Sequence, residues 1–109
     1  MTRDRVYLLH IKEAITKVER FTAAGRAEFL ASELVQDAVL RNLHTMSEST
    51  QRLSQELRDA HPEVDWTGIS RFRNVVVHDY LGLDIEEVWS IIEKDLPELG
   101  RQIQRISVS

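Results

Sequence analysis

Apolar residues recur along this chain at intervals of three and four, which is the spacing of one face of an α-helix. The first stripe runs through about residues 3–23 and consists of Tyr7, Ile11, Ala14, Ile15, Val18 and Phe21. Gly25 lies just past this stripe, where glycine favours the end of a helix. The pattern therefore predicts a first helix that ends shortly before Gly25.

A second helical pattern runs from about residue 28 to residue 60 without a glycine or proline. Its apolar stripe begins with Ala27, Leu30, Ala31, Leu34 and Ala38, and continues with Val35, Val39, Leu43, Met46, Leu53 and Leu57. An unbroken helix of this length would measure about 50 Å at 1.5 Å per residue. The weakest helix formers within it are residues 47–50 (Ser-Glu-Ser-Thr), so any bend is expected there. The small alanines at the start of the stripe would allow another helix to approach closely.

The remaining third of the chain predicts two more helices. His61-Pro62 ends the long helix, because a residue before proline disfavours helical angles, and Asp65 is a suitable N-cap for the third helix. Its buried face is Ile69, Phe72, Val76 and Val77, and Leu81-Gly82 is the predicted stop.

The fourth helix has the most regular stripe in the chain. Asp84 and Glu87 form a capping-box-like start, and Pro97 is expected to kink or split the helix. The stripe consists of Ile85, Val88, Trp89, Ile92, Leu96, Leu99, Ile103 and Ile106. The sequence therefore predicts an all-α fold: a four- to five-helix up-and-down bundle forming one domain over residues 1–109.

Composition narrows the class of protein. With 42% hydrophobic and 29% charged residues the chain is typical of a soluble globular domain. So small a domain leaves much of its surface exposed, so a homodimer would help to bury apolar area. The absence of cysteine excludes disulfides and thiolate metal sites and fits a cytoplasmic location. No apolar run approaches the ~20 residues of a membrane span, and the N-terminus is predicted to be a helix rather than a signal peptide.

The net charge of −4 bears on nucleic-acid binding. Proteins that bind long duplexes through many phosphates usually present a basic face. Any nucleic-acid contact here should be local and short, or confined to one basic patch. The candidates are Arg71 and Arg73, beside Arg101 and Arg105 if the chain folds back.

The stretch RNVVVHDY, residues 73–80, places chemically active side chains around three valines. On a helical projection Arg73, Asn74 and His78 share one polar sector. Arginine offers a planar fork of donors to a phosphodiester, and histidine exchanges protons near neutral pH. The group suits metal-independent RNA cleavage, in which a 2′-hydroxyl attacks the adjacent phosphorus, with Arg73 stabilising the phosphate. Such cleavage needs both a base and an acid, so a two-fold dimer would supply the second histidine.

A structural interpretation of the same residues stays open. An arginine and a histidine at a helix end also occur as a solvated face or as complements to the helix dipole, and Tyr80 alone suits a half-buried rim. His10, His44 and His61 are scattered, and His44 with Glu48 at helical spacing is too few ligands for a metal site. Glycine-rich phosphate loops and nucleophile elbows are absent from the sequence. Trp66 and Trp89 are expected to lie in the core or at an interface.

The stretch from DWTGISRFRNVVVHDYLGLDIEEVW to KDLPEL resembles the HepT family of the HEPN superfamily of small helical nucleases. That family carries the pattern R-x4-H-x-Y, which Arg73, His78 and Tyr80 match residue by residue. Asn74 directly after the arginine and Trp89 after the acidic pair are also typical. The resemblance is specific over residues 63–99.

The resemblance implies a HEPN-like homodimer in which the motifs of both chains face a shared cleft. It also implies a ribonuclease toxin of a toxin–antitoxin pair, with RNA as substrate and no cofactor or metal. Arg73 and His78 would be catalytic, Asn74 would orient the site, and Tyr80 would position substrate. The antitoxin would be a minimal nucleotidyltransferase that attaches AMP to Tyr80. The added bulk and negative charge beside Arg73 and His78 would repel an RNA phosphate.

A second hypothesis is a non-catalytic helical subunit that binds a nucleotidyltransferase or presents its substrate. The acidic net charge favours it, and likeness of fold does not by itself decide between the two functions. Toxicity of the chain expressed alone is expected only for the ribonuclease.

Overall fold

A computed structural model of the chain describes residues 3–69, 72 and 84–107, and these residues contain helices and no β-strand. The elements are α1 (Arg3–Phe21), α2 (Arg26–Ala31), α3 (Glu33–Gln51), α4 (Gln55–Ala60), α5 (Ile85–Ser90), a π-helical turn (Ile91–Asp95) and α6 (Leu96–Gln104). Residues 66–69 and residue 72 are also helical. The predicted all-α class is confirmed. None of the helices in these ranges is long and apolar enough to cross a membrane.

α1 forms as its apolar stripe predicts. It buries Leu8, Ile11, Ala14, Ile15 and Val18 against α3 and α6. It ends at Phe21, and Gly25 has a φ of 98°, a left-handed value that favours glycine. Gly25 is therefore the point at which the chain turns from α1 into α2.

One contact shows that α1 runs antiparallel to α3, and a second joins α1 to the end of α6. At the start of α1, the Asp4 carboxylate accepts hydrogen bonds from Ser54, just after α3, at the backbone N (2.7 Å) and at Oγ (2.6 Å). Further along α1, Lys12 Nζ donates to the Ile106 carbonyl just after α6 (3.2 Å). The arrangement agrees with an up-and-down bundle over the described helices.

The long second helix is divided near its start, so the predicted single stripe is wrong there. Ser32 has extended angles (φ −117°, ψ 107°) and caps α3 by accepting from Val35 N at 3.2 Å. A residue with extended angles interrupts the helical spacing, so the apolar stripe before Ser32 does not continue on the same face after it. As a result Leu34 is 80% exposed. Phe29, which the pattern did not select, is 1% exposed and lies in the core.

The bend allowed at residues 47–50 does not occur. α3 continues to Gln51, and the break falls after it, where Ser54 caps α4 by accepting from Leu57 N. Ser47 and Thr50 are buried, and their hydroxyls donate to the carbonyls of Leu43 and Met46. These bonds satisfy the hydroxyls inside the helix, so poor helix formers are accommodated without a bend.

The C-terminal helix changes geometry just before Pro97, as predicted. Asp84 caps α5 by accepting from Glu86 N at 3.0 Å, and the π turn follows, in which Leu96 N bonds to the Ile91 carbonyl. Proline cannot donate the ordinary helical bond and its ring clashes with the preceding turn. The wider turn lets Leu96 and Ile103 stay in the core.

Candidate functional site

The four predicted site residues, Arg73, Asn74, His78 and Tyr80, lie outside the described residues, as do Val76, Val77 and the predicted helix stop at Leu81-Gly82. The structure therefore describes what flanks this stretch on each side. The flanks are residues 65–69 and Phe72 before it, and Asp84 with α5 after it.

The preceding flank is fixed to the core. Asp65 caps it as predicted, with Oδ1 accepting from Gly68 N at 2.8 Å. Trp66 Nε1 donates to the carbonyls of Arg58 (3.2 Å) and His61 (3.0 Å). Ile69 and Phe72, three residues apart, are buried. The helix that leads into RNVVVHDY thus begins from a capped, anchored turn.

The following flank is tied to α2. Glu86 of α5 forms an ion pair with Arg26, and the ring centroids of Trp89 and Phe29 lie 5.5 Å apart. Trp89 packs against the core, which confirms the expected position of this tryptophan. Its buried Nε1 has no hydrogen-bond partner among the residues that the structure describes. Both flanks of the predicted site are therefore held by side-chain contacts on the bundle.

A groove of about 320 Å³ lies between the preceding flank and α6. Ile69, Phe72 and Leu99 line its apolar part. Among the described residues, its charged lining comprises three carboxylates and one ammonium: Asp65, Asp95, Glu98 and Lys94. The excess of negative charge on these described side chains opposes a phosphate.

The C-terminal arginines of the predicted basic patch face a different groove. Arg101 and Arg105 line a groove of about 630 Å³ together with Lys12 of α1. Arg101 is already paired, with Nε 3.0 Å and Nη2 2.7 Å from Glu98 Oε2. Arg71 and Arg73 lie outside the described residues, so the proposed joining of the two arginine pairs stays a prediction.

The other histidines have separate surroundings. His44 is exposed on α3, and His61 Nδ1 lies 3.1 Å from Glu63 Oε2. The pKa of Glu63 is lowered, first by a hydrogen bond from its own backbone and then by the one with His61. Within the described ranges no cluster of three or more His, Cys, Asp or Glu side chains could hold a metal.

One cluster of cationic and aromatic side chains was not predicted from the sequence. Arg3 and Arg52 both lie against the Tyr7 ring, with guanidinium carbons 5.7 and 5.8 Å from its centroid. His10 meets the same ring edge-on at 5.9 Å. The spacing of Arg3 and Tyr7 was visible in the sequence, whereas only the antiparallel packing of α1 and α3 brings Arg52 to them.

Comparison with known proteins identifies the family. The sequence profile described as Ribonuclease HepT-like matches residues 11–106. The chain belongs to the HepT-like ribonuclease family. The family suggested by the residues of RNVVVHDY and its surroundings is therefore confirmed, and with it the assignment to a family of ribonucleases.

Individual relatives agree with this assignment. A Thermococcus cleftensis protein named a probable ribonuclease HepT is 32% identical, over 92% of each chain. A Caldanaerobacter subterraneus protein named provisionally as an RNase is 31% identical, over 97% of this chain and 96% of its own.

One similar protein is much longer. A Methanocaldococcus jannaschii protein, named as a gamma-glutamylcyclotransferase and provisionally as an RNase, is 31% identical over 97% of this chain. The chain spans 49% of that relative's length. No solved structure matches the chain significantly.

Proposed function

We propose that this chain is a metal-independent endoribonuclease that acts as the toxin of a toxin–antitoxin pair in the cytoplasm. The observation that carries the proposal is membership of the HepT-like ribonuclease family over residues 11–106, a range that includes the R-x4-H-x-Y motif. The anchored flanks on both sides of the motif support it. They would hold catalytic groups on a fixed frame, as preorganised catalysis requires.

The proposed reaction is an internal transesterification followed by release of the cut strand. His78 of one chain removes the proton of the RNA 2′-hydroxyl, and the 2′-oxygen attacks the adjacent phosphorus. The bond from phosphorus to the 5′-oxygen breaks, leaving a cyclic phosphate on one fragment. A protonated second histidine gives its proton to the departing 5′-oxygen. Arg73 stabilises the charge on the phosphoryl oxygens, and Asn74 orients the group.

The second histidine comes from a second copy in a homodimer. The corner between α2 and α3 supports this assembly because it exposes apolar side chains. Leu34 in the first turn of α3 is 80% exposed, and Ala27 and Ala31 of α2 are also exposed. Small exposed side chains on α2 allow a second backbone to approach closely. We place the two-fold contact at this corner.

Light scattering on the purified chain tests the dimer. Leu34→Glu should convert a dimer into a monomer, because it buries a charge in an apolar contact. Leu9→Glu is the matched control, since Leu9 is 54% exposed on α1 and should leave the dimer intact. A dimer that persists in Leu34→Glu would show that this corner is not the interface.

A minimal nucleotidyltransferase antitoxin neutralises the proposed toxin. The Tyr80 oxygen attacks the α-phosphorus of ATP, pyrophosphate leaves, and AMP becomes attached to Tyr80. Its phosphate then competes with the RNA phosphate for Arg73. Mass spectrometry after incubation with such an enzyme and ATP should show the added AMP on the original chain and none on Tyr80→Phe.

The central experiment is cleavage of RNA by purified protein and growth of a bacterial host that expresses it. His78→Ala should abolish cleavage and growth arrest while the far-UV circular dichroism stays unchanged. His44→Ala, a histidine exposed on α3, is the matched control and should cleave normally. Retained cleavage by folded His78→Ala would refute the mechanism.

The second candidate function is the non-catalytic subunit that binds a nucleotidyltransferase. The net charge of −4 and the acidic groove beside Phe72 favour it, because both oppose binding of RNA. At equal expression, growth without arrest for both the original chain and His78→Ala would select this function.

A further inference from the structure

The cationic cluster formed by Arg3, Tyr7 and Arg52 lies where α1 begins and α3 ends. Each guanidinium lies within contact distance of the same aromatic ring, at 5.7 and 5.8 Å from its centroid. The ring's negative face attracts each cation and so lets two positive charges occupy one small area. Neither arginine forms an ion pair in the part of the chain that the structure describes.

Both arginines also line one surface cleft of about 330 Å³, together with residues 51 and 53 and the Asp4–Ser54 pair. Asp4 is the acidic group in this lining, and both of its oxygens accept hydrogen bonds from Ser54. The Asp4 carboxylate is thus occupied in joining α1 to the start of α4. The arginines keep donors available for a ligand.

This cluster differs from the cationic groove between α1 and α6. In the groove between α1 and α6, Lys12 donates to the Ile106 carbonyl and Arg101 is paired with Glu98. Two of the three cations that line this groove therefore already have partners. Arg3 and Arg52 lie over an aromatic ring and are exposed, and the fork of guanidinium donors matches a phosphate.

We propose that the Arg3–Tyr7–Arg52 cluster binds a backbone phosphate of single-stranded RNA, at a site built from residues other than the R-x4-H-x-Y motif. This inference rests on the proposed function, since it gives the ribonuclease a second point of attachment to its substrate. It also accounts for RNA binding by a chain of net charge −4, because a local pair of arginines needs no basic face.

The test measures binding of a fluorescently labelled single-stranded RNA by anisotropy, at several salt concentrations. All proteins carry His78→Ala so that the RNA stays intact. Arg3→Gln/Arg52→Gln should weaken binding about tenfold or more, since the loss of a single charge-assisted hydrogen bond to phosphate already has about that effect. The slope of log affinity against log salt should become shallower by about 0.7 for each phosphate that the variant no longer binds.

Two further variants make the result specific. Lys17→Gln/Arg20→Gln removes the same charge from α1, and Arg20 likewise lies over an aromatic ring, 5.1 Å from the centroid of Phe21. This control should keep the original affinity and slope. Arg3→Lys/Arg52→Lys retains the charge and should keep the salt slope, which separates a weaker hold on phosphate from a failure to fold.

The proposal is overturned if Arg3→Gln/Arg52→Gln binds RNA with the original affinity and slope, or if the α1 control loses as much affinity. Cleavage by the chain with His78 intact is measured in parallel. Cleavage together with unchanged binding by the arginine variant would remove this site and leave the proposed function standing. No cleavage, with binding that still depends on the two arginines, would remove the proposed function and leave the site.

Discussion

α3 and the C-terminal helix each contain a stretch that the sequence marks as weak, and the two stretches behave differently. In α3 residues 47–50 stay α-helical up to Gln51. In the C-terminal helix the turn before Pro97 becomes a π turn. Serine and threonine keep their backbone N–H groups, and buried hydroxyls bond to carbonyls one turn back. Proline has no N–H, so geometry has to change where it occurs.

The difference teaches that low helix propensity and loss of a donor are separate effects. Propensity differences among ordinary residues amount to less than about 0.7 kcal/mol each, which core packing of Leu43 and Met46 overrides. Loss of a donor with a steric clash costs about 3 kcal/mol in a helix interior. In the C-terminal helix a wider turn accommodates the second effect, and the core side chains pack around that turn.

The largest predicted effect comes from placing a proline inside α3. Ser47→Pro should lower the free energy of unfolding by about 3 kcal/mol or more, because α3 has no wider turn at this position. Urea unfolding followed by circular dichroism measures it. Ser47→Ala is the control and should lower the free energy of unfolding by about 1 kcal/mol, because it removes the hydrogen bond from the Ser47 hydroxyl to the Leu43 carbonyl. Equal effects of the two substitutions would contradict this account.

The end of α3 provides the next largest effect. Ser54→Ala removes the cap on Leu57 N and a bond to Asp4, and should cost about 1 kcal/mol. Thermal unfolding measures it, with Asp4→Asn as the partner variant. If Ser54 acts through Asp4 as well as through its cap, the double variant should cost less than the sum of the two singles.

Pro97→Ala distinguishes whether the proline or the core holds the π turn. We expect the turn to persist, because an α-helical turn there would rotate Leu99 and Ile103 by about 100° away from the core. The free energy of unfolding should change by less than about 1 kcal/mol. Chemical shifts and sequential contacts of residues 91–96 in NMR spectra measure the turn. A change to α geometry would show that Pro97 alone imposes it.

The smallest effect concerns the exposed turn after α4. The pKa of Glu63 is lowered in the folded chain, so its contribution to stability is present above the unfolded pKa and is lost as pH falls through the folded value. Glu63→Gln should therefore make thermal unfolding slightly less sensitive to acid. Melting temperatures of both proteins, compared from neutral pH downward, measure it. Identical acid sensitivity would exclude a contribution from this carboxylate.

Part of the fold was predictable from local pattern. The stripes of α1 and α6, the caps at Asp65 and Asp84 and the disturbance before Pro97 all follow from residues close in sequence. The division at Ser32 was not predicted, because a serine inside an apolar period can either continue the helix or cap the next one. The exposure of Leu34 follows from that choice.

Prediction of the site was likewise limited to features that depend on residues close in sequence. The motif, and with it the family, could be recognised because Arg73, His78 and Tyr80 lie within one short stretch of sequence. The placement of Arg101 and Arg105 beside Lys12 could not be predicted, because it depends on which face of α6 meets α1. The roles of the motif residues stay predictions that the cleavage experiment tests.

The sequence by itself determined the helical class, the helix caps at Asp65 and Asp84 and the family, because each depends on residues a few positions apart. Only the tertiary structure decided which arginines meet which aromatic ring and where the long helix breaks. Arg3 and Arg52 lie 49 positions apart in the chain, and no local period relates them. The antiparallel packing of α1 on α3 brings both against Tyr7.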